Sequence, residues 1–232
     1  RDYEYQSKIH NEDLDHPEQI GKIAGNRAIS RINPRKVKSS NVPIIFDPKI
    51  SGSLVSLFAG GISGKSIARG TSFLKDKMNK ILFNNKINIV DNPLMPRGPR
   101  SRMFDSEGVK TSKISLIEKG ELTSWILDTN TAKQLNLKNT GHASGSPPNP
   151  AASNMYLMAG KVKNTELLKS IKNGFYITEM MGMSFNEVTG DYSRGATGFW
   201  IENGEKAYPV SEVTVAGNIL EMYKTITPAS DL

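Results

Sequence analysis

Ala59-Gly60-Gly61-Ile62-Ser63-Gly64-Lys65-Ser66 is a stretch whose residue types could do chemistry. It ends in Gly-Lys-Ser, as a phosphate-binding loop does. There, backbone N–H groups cradle phosphates, the lysine reaches the β/γ-phosphates and the serine hydroxyl meets Mg²⁺. Lys65 and Ser66 would take those roles, and Ile87 to Asp91 resembles a following acid-tipped strand. Against this, Ala59 stands where the motif has its first glycine, and no βαβ alternation surrounds it. A plain small-residue turn is the competing reading. His10 and His16 lie in a polar N-terminal part, and His142 sits in Thr140-Gly141-His142-Ala143. A single loop histidine is more often structural than catalytic. Asp105 with Glu107, and Glu179 with Glu187, gain no acid or base role from spacing alone.

Val188 to Pro209 is the other informative stretch. Thr189-Gly190 and Asn203-Gly204 are turn dipeptides. Asn203-Gly204 divides Phe199-Trp200-Ile201 from Ala207-Tyr208-Pro209-Val210, which predicts a hairpin. The small residues of Ser193 to Ile201 allow another backbone to approach closely. Arg194 stands among small residues, where a long cation could reach a carboxylate or a carbonyl. Trp200, closing this run, is expected to anchor the hairpin in the core. Met155, Met158, Met180, Met181 and Met183 could form an adaptable surface or ordinary core.

Elements must position these residues. Asp15-His16-Pro17-Glu18 predicts a helix start with an Asx cap, and Pro34 its end. Val42 to Phe46 reads as a short buried strand, Ile50 to Ala59 as helical, and Ser72 to Phe83 as a second helix. Strands are predicted at Ile87 to Asp91, Met155 to Gly160, Gly174 to Met180 and Val213 to Ala216. A hairpin is predicted around Glu118-Lys119-Gly120-Glu121. Thr140 to Ser153 reads as a long loop, and such loops are often functional. Thr165 to Lys172 and Ile219 to Ile226 read as helices. The fold class is α+β, mainly antiparallel β with a few flanking short helices.

Composition narrows the classes. The chain has 232 residues, 37% hydrophobic and 23% charged, which fits a globular protein. It has no cysteine, so disulfides and thiolate metal sites are excluded. No run of apolar residues is long enough for a membrane helix. The polar, acidic first residues are unlike an export signal, so a cytoplasmic location is the expectation. Net charge is +7. The densest basic run, Arg31 to Lys38, has no interleaved aromatics, unlike single-strand nucleic-acid grooves, and reads as a solvated linker.

Val188 to Pro209 also resembles the C-terminal signature of the TldD/PmbA family, closest to its PmbA/TldE branch. Ser63 to Leu74, Asp91 to Gly108, Trp125 to Ala143 and Ala216-Gly217-Asn218 match further family stretches in family order. The resemblance implies a metalloprotease system acting on peptides and unfolded chains, and a "modulator of DNA gyrase" label. It implies that residues 1–40 are an extension and helix joining an N-terminal α/β domain, with 41–232 the C-terminal domain. The chain therefore reads as a fragment. The catalytic branch carries an HExxxH zinc motif before Arg69-Gly70-Thr71-Ser72. Here that window is Val55 to Gly60, with Val55, Ser56 and Gly60 at the ligand and base positions and Ala196 near a thiolate position. The expectation is no metal and no catalytic residue in this chain, with zinc supplied by a TldD-type partner. Gly182 to Arg194 resembles the cleft lining, which nominates His142, Gly182, Asn186, Asp191 and Arg194 as substrate or partner contacts. Partners implied are a TldD-type subunit, self-association and a peptide or unfolded substrate, without membrane or nucleic acid. A phosphate-loop NTPase and a stand-alone scaffold are the alternatives.

Overall fold

A computed structural model describes residues 2–182 and 184–231. The chain runs α1 (Pro17–Ser30), β1 (Ile44–Phe46), α2 (Pro48–Gly61), α3 (Gly64–Ala68), β2 (Ile89–Asp91), β3 (Ile114–Glu118) and β4 (Glu121–Leu122). It continues through α4 (Thr129–Leu135), β5 (Ala143–Ser144), β6 (Asn149–Pro150), β7 (Met155–Leu157) and α5 (Asn164–Lys169). It ends with β8 (Asn173–Met181), β9 (Asp191–Glu202), β10 (Glu205–Asn218) and α6 (Ile219–Thr225). Strand pairing is mostly antiparallel, so the fold is α+β as expected.

Two compact units form. The first comprises Arg1–Ser51, Lys163–Met183 and Arg194–Val215. Its sheet has the order β1-β8-β9-β10, with β1 parallel to β8 and β8 antiparallel to β9. Asn203 (φ 52°) and Gly204 (φ 82°) make the predicted two-residue turn between β9 and β10, both left-handed as a type I′ hairpin requires. Pro209 lacks an N–H, and β10 tolerates it as an edge strand. Its carbonyl accepts from the Arg35 N–H at 2.9 Å. Val213 to Ala216 is no separate strand. β10 runs through it, with Glu212 at φ 55° marking the irregularity.

Other local expectations change here. The cap of α1 is the His16 side chain, accepting from the Glu18 N–H, because Asp15 is taken by Gln6. The helix ends at Ser30, before Pro34, and buries no residue. β1 is half-buried rather than buried. The basic run is largely exposed, as expected of a solvated segment, but it is also tethered. Arg31 bonds Glu179 and Asp2, Lys36 pairs with Glu212, and the Arg35 guanidinium lies 4.5 Å above the Tyr208 ring. Trp200 is only half-buried, and its strand neighbour Ile201 fills the core instead.

The second unit comprises Gly52–Val162, Ser184–Ser193 and Ala216–Leu232. Its sheet has the order β4-β3-β2-β7. Phe58, Phe83 and Tyr223 form an aromatic cluster at its core, with Phe83 and Tyr223 stacked at 4.5 Å. The Tyr223 hydroxyl donates to the Leu54 carbonyl, and burial raises its pKa. Ser72 to Phe83 is not a helix. Its N–H groups bond elsewhere: Asn79 to the Leu122 carbonyl, and Leu82 and Phe83 to that of Gly120. Asn79 itself is left-handed, at φ 58°. The loop from Thr140 contains the small β5–β6 hairpin.

Candidate functional site

Asp91 ends β2 and has no exposure. Its Oδ1 accepts from the Ser153 N–H at 2.8 Å, and the Ser153 hydroxyl donates to Oδ2. His142 Nε2 lies 3.1 Å from the same Oδ2, and Nδ1 lies 2.9 Å from the Thr140 hydroxyl. Thr140 Oγ1 in turn accepts from the Leu127 N–H. Serine, aspartate and histidine therefore meet, but with the carboxylate in the middle. A nucleophile needs the imidazole between serine and acid. The network instead pins the 140–154 segment to β2, and it leaves His142 1% exposed.

The tip of the β8–β9 hairpin is organised by Asn186 and Asp191. Asn186 Oδ1 accepts from the N–H groups of Val188 and Thr189, and its own N–H donates to the Asp191 carbonyl. The Asp191 carboxylate accepts from the Thr189 hydroxyl at 2.7 Å and from the Asn218 amide at 3.3 Å. Those two hydrogen bonds, Thr189 first, hold its pKa below the ordinary aspartate value. Gly182 (φ 75°) and Arg194 lie in the other unit, where Arg194 Nε donates to the Gly182 carbonyl at 2.9 Å. The long cation thus reaches a carbonyl, that of its own hairpin. Met158 and Met181 are exposed, Met155 and Met180 half-buried, and Met183 lies outside the described residues.

The second unit also holds a cavity of about 100 Å³. Ser56, Leu57, Gly60 and Gly61 of α2 line it, with Ser66 of α3. Thr71, Ser72, Phe73, Phe185 and Glu187 complete it. The Phe73 N–H donates to the Glu187 carbonyl at 2.7 Å, and the Phe73 and Phe185 rings meet edge to face. Nothing local in the sequence signals this meeting, because Phe73 and Phe185 are far apart along the chain. The Arg69 to Ser72 family segment was the one available pointer.

The residues at the zinc positions do not fit a metal. Val55 and Gly60 carry no donor atom, and the Ser56 hydroxyl is engaged with the Gly52 carbonyl. Ala196 is a buried methyl. Among the described residues no group of three or more His, Cys, Asp or Glu is arranged to hold a metal ion. The phosphate-loop reading loses its context too. Helix α2, not a strand, precedes the Gly-Lys-Ser segment. Gly64 is a packing glycine, since a Cβ there would stand 2.6 Å from Thr131 Oγ1, and Lys65 Nζ donates to Asn149. No described helix is long and apolar enough to cross a membrane.

Comparison with known proteins adds to this geometry. Residues 39–232 match the PmbA/TldA metallopeptidase C-terminal domain. Metalloprotease PmbA of Escherichia coli is 39% identical over 226 residues, covering 97% of this chain and 49% of the relative. The metalloprotease PmbA homolog of Haemophilus influenzae is 37% identical, covering 99% of this chain and 50% of the relative. The chain thus spans about half the length of the curated relatives it matches. A Thermotoga maritima structure described as a modulator of a DNA gyrase superposes with TM-score 0.87 at 32% identity, over 95% of this chain and 51% of that one. TldE from Thermococcus kodakarensis gives 0.79 at 26% identity, over 91% and 49%. The chain belongs to the PmbA/TldD metallopeptidase family.

Proposed function

We propose that this chain is the metal-free, substrate-shaping half of a cytoplasmic two-subunit peptidase, paired with a TldD-type subunit that carries the zinc. The observation that carries the reading is the donor-poor set Val55, Ser56 and Gly60 on a helix of a metallopeptidase-family domain. A zinc site needs three protein ligands of the His, carboxylate or thiolate type, and none of these side chains qualifies. Residues 41–232 would form the family's C-terminal domain, and 1–40 the segment leading into it. Gly182 and Arg194 of the first unit, and separately Asn186 and Asp191 of the second, would be contacts for a peptide, an unfolded chain or the partner subunit. His142 would act from behind, through the Asp91 network, since its ring is closed to solvent. Similarity to TldE supports the pairing with a TldD-type chain.

The test is reconstitution with a TldD-type chain. This chain alone should cleave no peptide with zinc added, and the pair should be active and chelator-sensitive. Arg194→Ala removes the tie between Arg194 and the Gly182 carbonyl, and should lower the pair's peptidase kcat/KM by about tenfold, the worth of one charge-assisted hydrogen bond. Zinc-dependent peptidase activity in the isolated chain would overturn the reading, as would full activity of the Arg194→Ala pair.

A further inference from the structure

We infer that the cavity between α2 and the Thr71–Phe73 segment is a receptor for a primary alkylammonium, and specifically for the lysine side chain of a polypeptide. That the ammonium arrives on a polypeptide rests on the subunit reading above; the chemistry of the cavity does not.

Three of its four hydroxyls have spent their protons. Ser56 Oγ donates to the Gly52 carbonyl at 3.0 Å, Thr71 Oγ1 to that of Ser66 at 3.4 Å, and Ser72 Oγ to that of Gly61 at 2.6 Å. What remains on them is acceptor capacity, of which Ser72 Oγ already gives a share to the Leu74 N–H at 2.9 Å. A ligand that complements acceptors brings donors, and an ammonium brings three with no acceptor of its own. The walls agree in sign. Phe73 and Phe185 stand edge to face with centroids 5.6 Å apart and planes at 89°. Aromatic faces attract cations through the ring quadrupole. Glu187, an exposed residue, lines the cavity too: its backbone carbonyl accepts from the Phe73 N–H, and its side chain makes no ion pair among the described residues. No lysine or arginine among the described residues lines the cavity, although the chain carries a net +7. Size then selects among cations. A cavity of about 100 Å³ is smaller than the ~150 Å³ void that takes up benzene, and suits a slim four-carbon chain better than a broad guanidinium.

Gly60 gives access to a clean test. Gly60 lines the cavity at an exposed position, and a Cβ built there meets no atom within 4 Å, so a larger side chain can be added at the rim without displacing the fold. The experiment is an NMR titration of the isotope-labelled chain with N-acetyl-lysine N-methylamide. Its neutral norleucine counterpart and putrescine are titrated in parallel. Saturable shifts at Phe73 and Phe185 are expected for the lysine compound, with the norleucine compound at least about tenfold weaker. Glu187→Gln should weaken lysine binding several-fold. Gly60→Leu should abolish it while leaving the remaining spectrum in place and without lowering the melting temperature. Equal affinity for norleucine would make the cavity an apolar slot and overturn the inference. So would the absence of saturable shifts, or unchanged binding in Gly60→Leu. Tighter binding of putrescine would replace lysine by a free polyamine and overturn the polypeptide assignment. In the reconstituted pair, a lysine-containing peptide should show a lower KM than its norleucine analogue, and Gly60→Leu should remove the difference. A working titration beside an inactive pair would sink the subunit reading and leave the receptor standing; the reverse result would sink the receptor alone.

Discussion

Two regions of the second unit make opposite uses of polar side chains. The segment from Thr140 to Asn154 brings a histidine and a serine to Asp91 of β2, the residue types of hydrolytic chemistry. Every one of them is engaged within the chain: Asp91 with Ser153 and His142, His142 with Thr140, Thr140 with Leu127. The cavity beside α2 gathers serines, threonine, glycines and two phenylalanines, none of which looks reactive. Its hydroxyls keep lone pairs beyond the one that Ser72 gives to the Leu74 N–H, and Glu187 in its lining forms no ion pair among the described residues. Residue type therefore misleads where hydrogen-bond accounting does not. A buried polar group with all its partners in the chain holds structure, and an accessible set with one kind of capacity left over is available to a ligand.

The largest expected effect breaks the first region. Asp91→Ala would leave the Ser153 N–H and hydroxyl and one His142 nitrogen unpaired in a site without solvent. Stranding the partners of a buried carboxylate costs about 3–5 kcal/mol, which for a domain of this size lowers the melting temperature by roughly ten degrees. Thermal unfolding with urea titration checks it. A change below about 1 kcal/mol would mean that the network is ornamental and that His142 is free for another role.

The second effect strikes the wall shared by cavity and core. A Cβ on Gly61 would stand 2.7 Å from Phe73 Cε1 and 2.9 Å from Leu74 Cδ1, and Leu74 is fully buried. Gly61→Ala should cost about 1–3 kcal/mol by overpacking and should turn the Phe73 ring. Stability measured alongside the Phe73 NMR signals would show both. Unchanged stability would mean that the cavity absorbs the methyl, so its wall is softer than the contacts indicate.

How much of this was legible follows from sequence separation. The β9–β10 hairpin was readable because Asn203-Gly204 determines its own turn, and α6 because its apolar spacing is local; its Asn218 cap, accepting from the Leu220 N–H, emerged only in the structure. Ser72 to Phe83 carries apolar residues at near-helical spacing, yet Asn79, Leu82 and Phe83 bond to carbonyls of Gly120 and Leu122, about forty residues on. No local pattern reports such partners. Trp200 was expected in the core because it closes the small-residue run, but the buried positions of β9, Tyr192, Ala196 and Gly198, change phase to Ile201 beyond a register shift in the β8–β9 pairing, which no local pattern announces. The histidine of the loop was readable as structural, but Asp91 as its partner was not. The cavity was the least legible feature, since its two rings meet only through the tertiary fold.

The comparison extends to the first unit through Tyr176. Its hydroxyl donates to Asp47 Oδ2 at 3.0 Å, and burial, reinforced by the Asp47 charge, pushes its pKa up to about 12. Tyr176→Phe should cost about 1–1.5 kcal/mol at neutral pH, the net worth of one buried hydrogen bond. The raised value gives a further signature. In the unfolded chain tyrosine loses its proton near pH 10, while the folded form retains it to about 12. The stabilisation is therefore complete below pH 10 and is lost as the pH climbs towards 12. Tyr176→Phe should unfold less steeply over that window than the parent. Equal slopes in urea titrations at pH 10 and 11 would place the alkaline sensitivity elsewhere, with Tyr223 the next residue to test.

The smallest effect carries the opposite sign. Gly60 lies in α2 one residue before Gly61, but an added Cβ there meets open space. Glycine within a helix costs about 0.5–1 kcal/mol relative to alanine through the entropy of the unfolded chain, and nothing at Gly60 offsets that cost by packing. Gly60→Ala should therefore stabilise by up to about 0.5–1 kcal/mol, while its neighbour Gly61→Ala destabilises. A residue kept at a stability disadvantage facing a cavity is what a site that needs its volume would show, because proteins sit just above the stability that their function demands. The decisive pairing is thus stability against ligand binding in the same variant. Gly60→Ala should raise the unfolding midpoint and weaken binding of the lysine compound. If it stabilises the chain and leaves binding untouched, Gly60 plays no part in recognition and the contrast between the two regions loses its functional half.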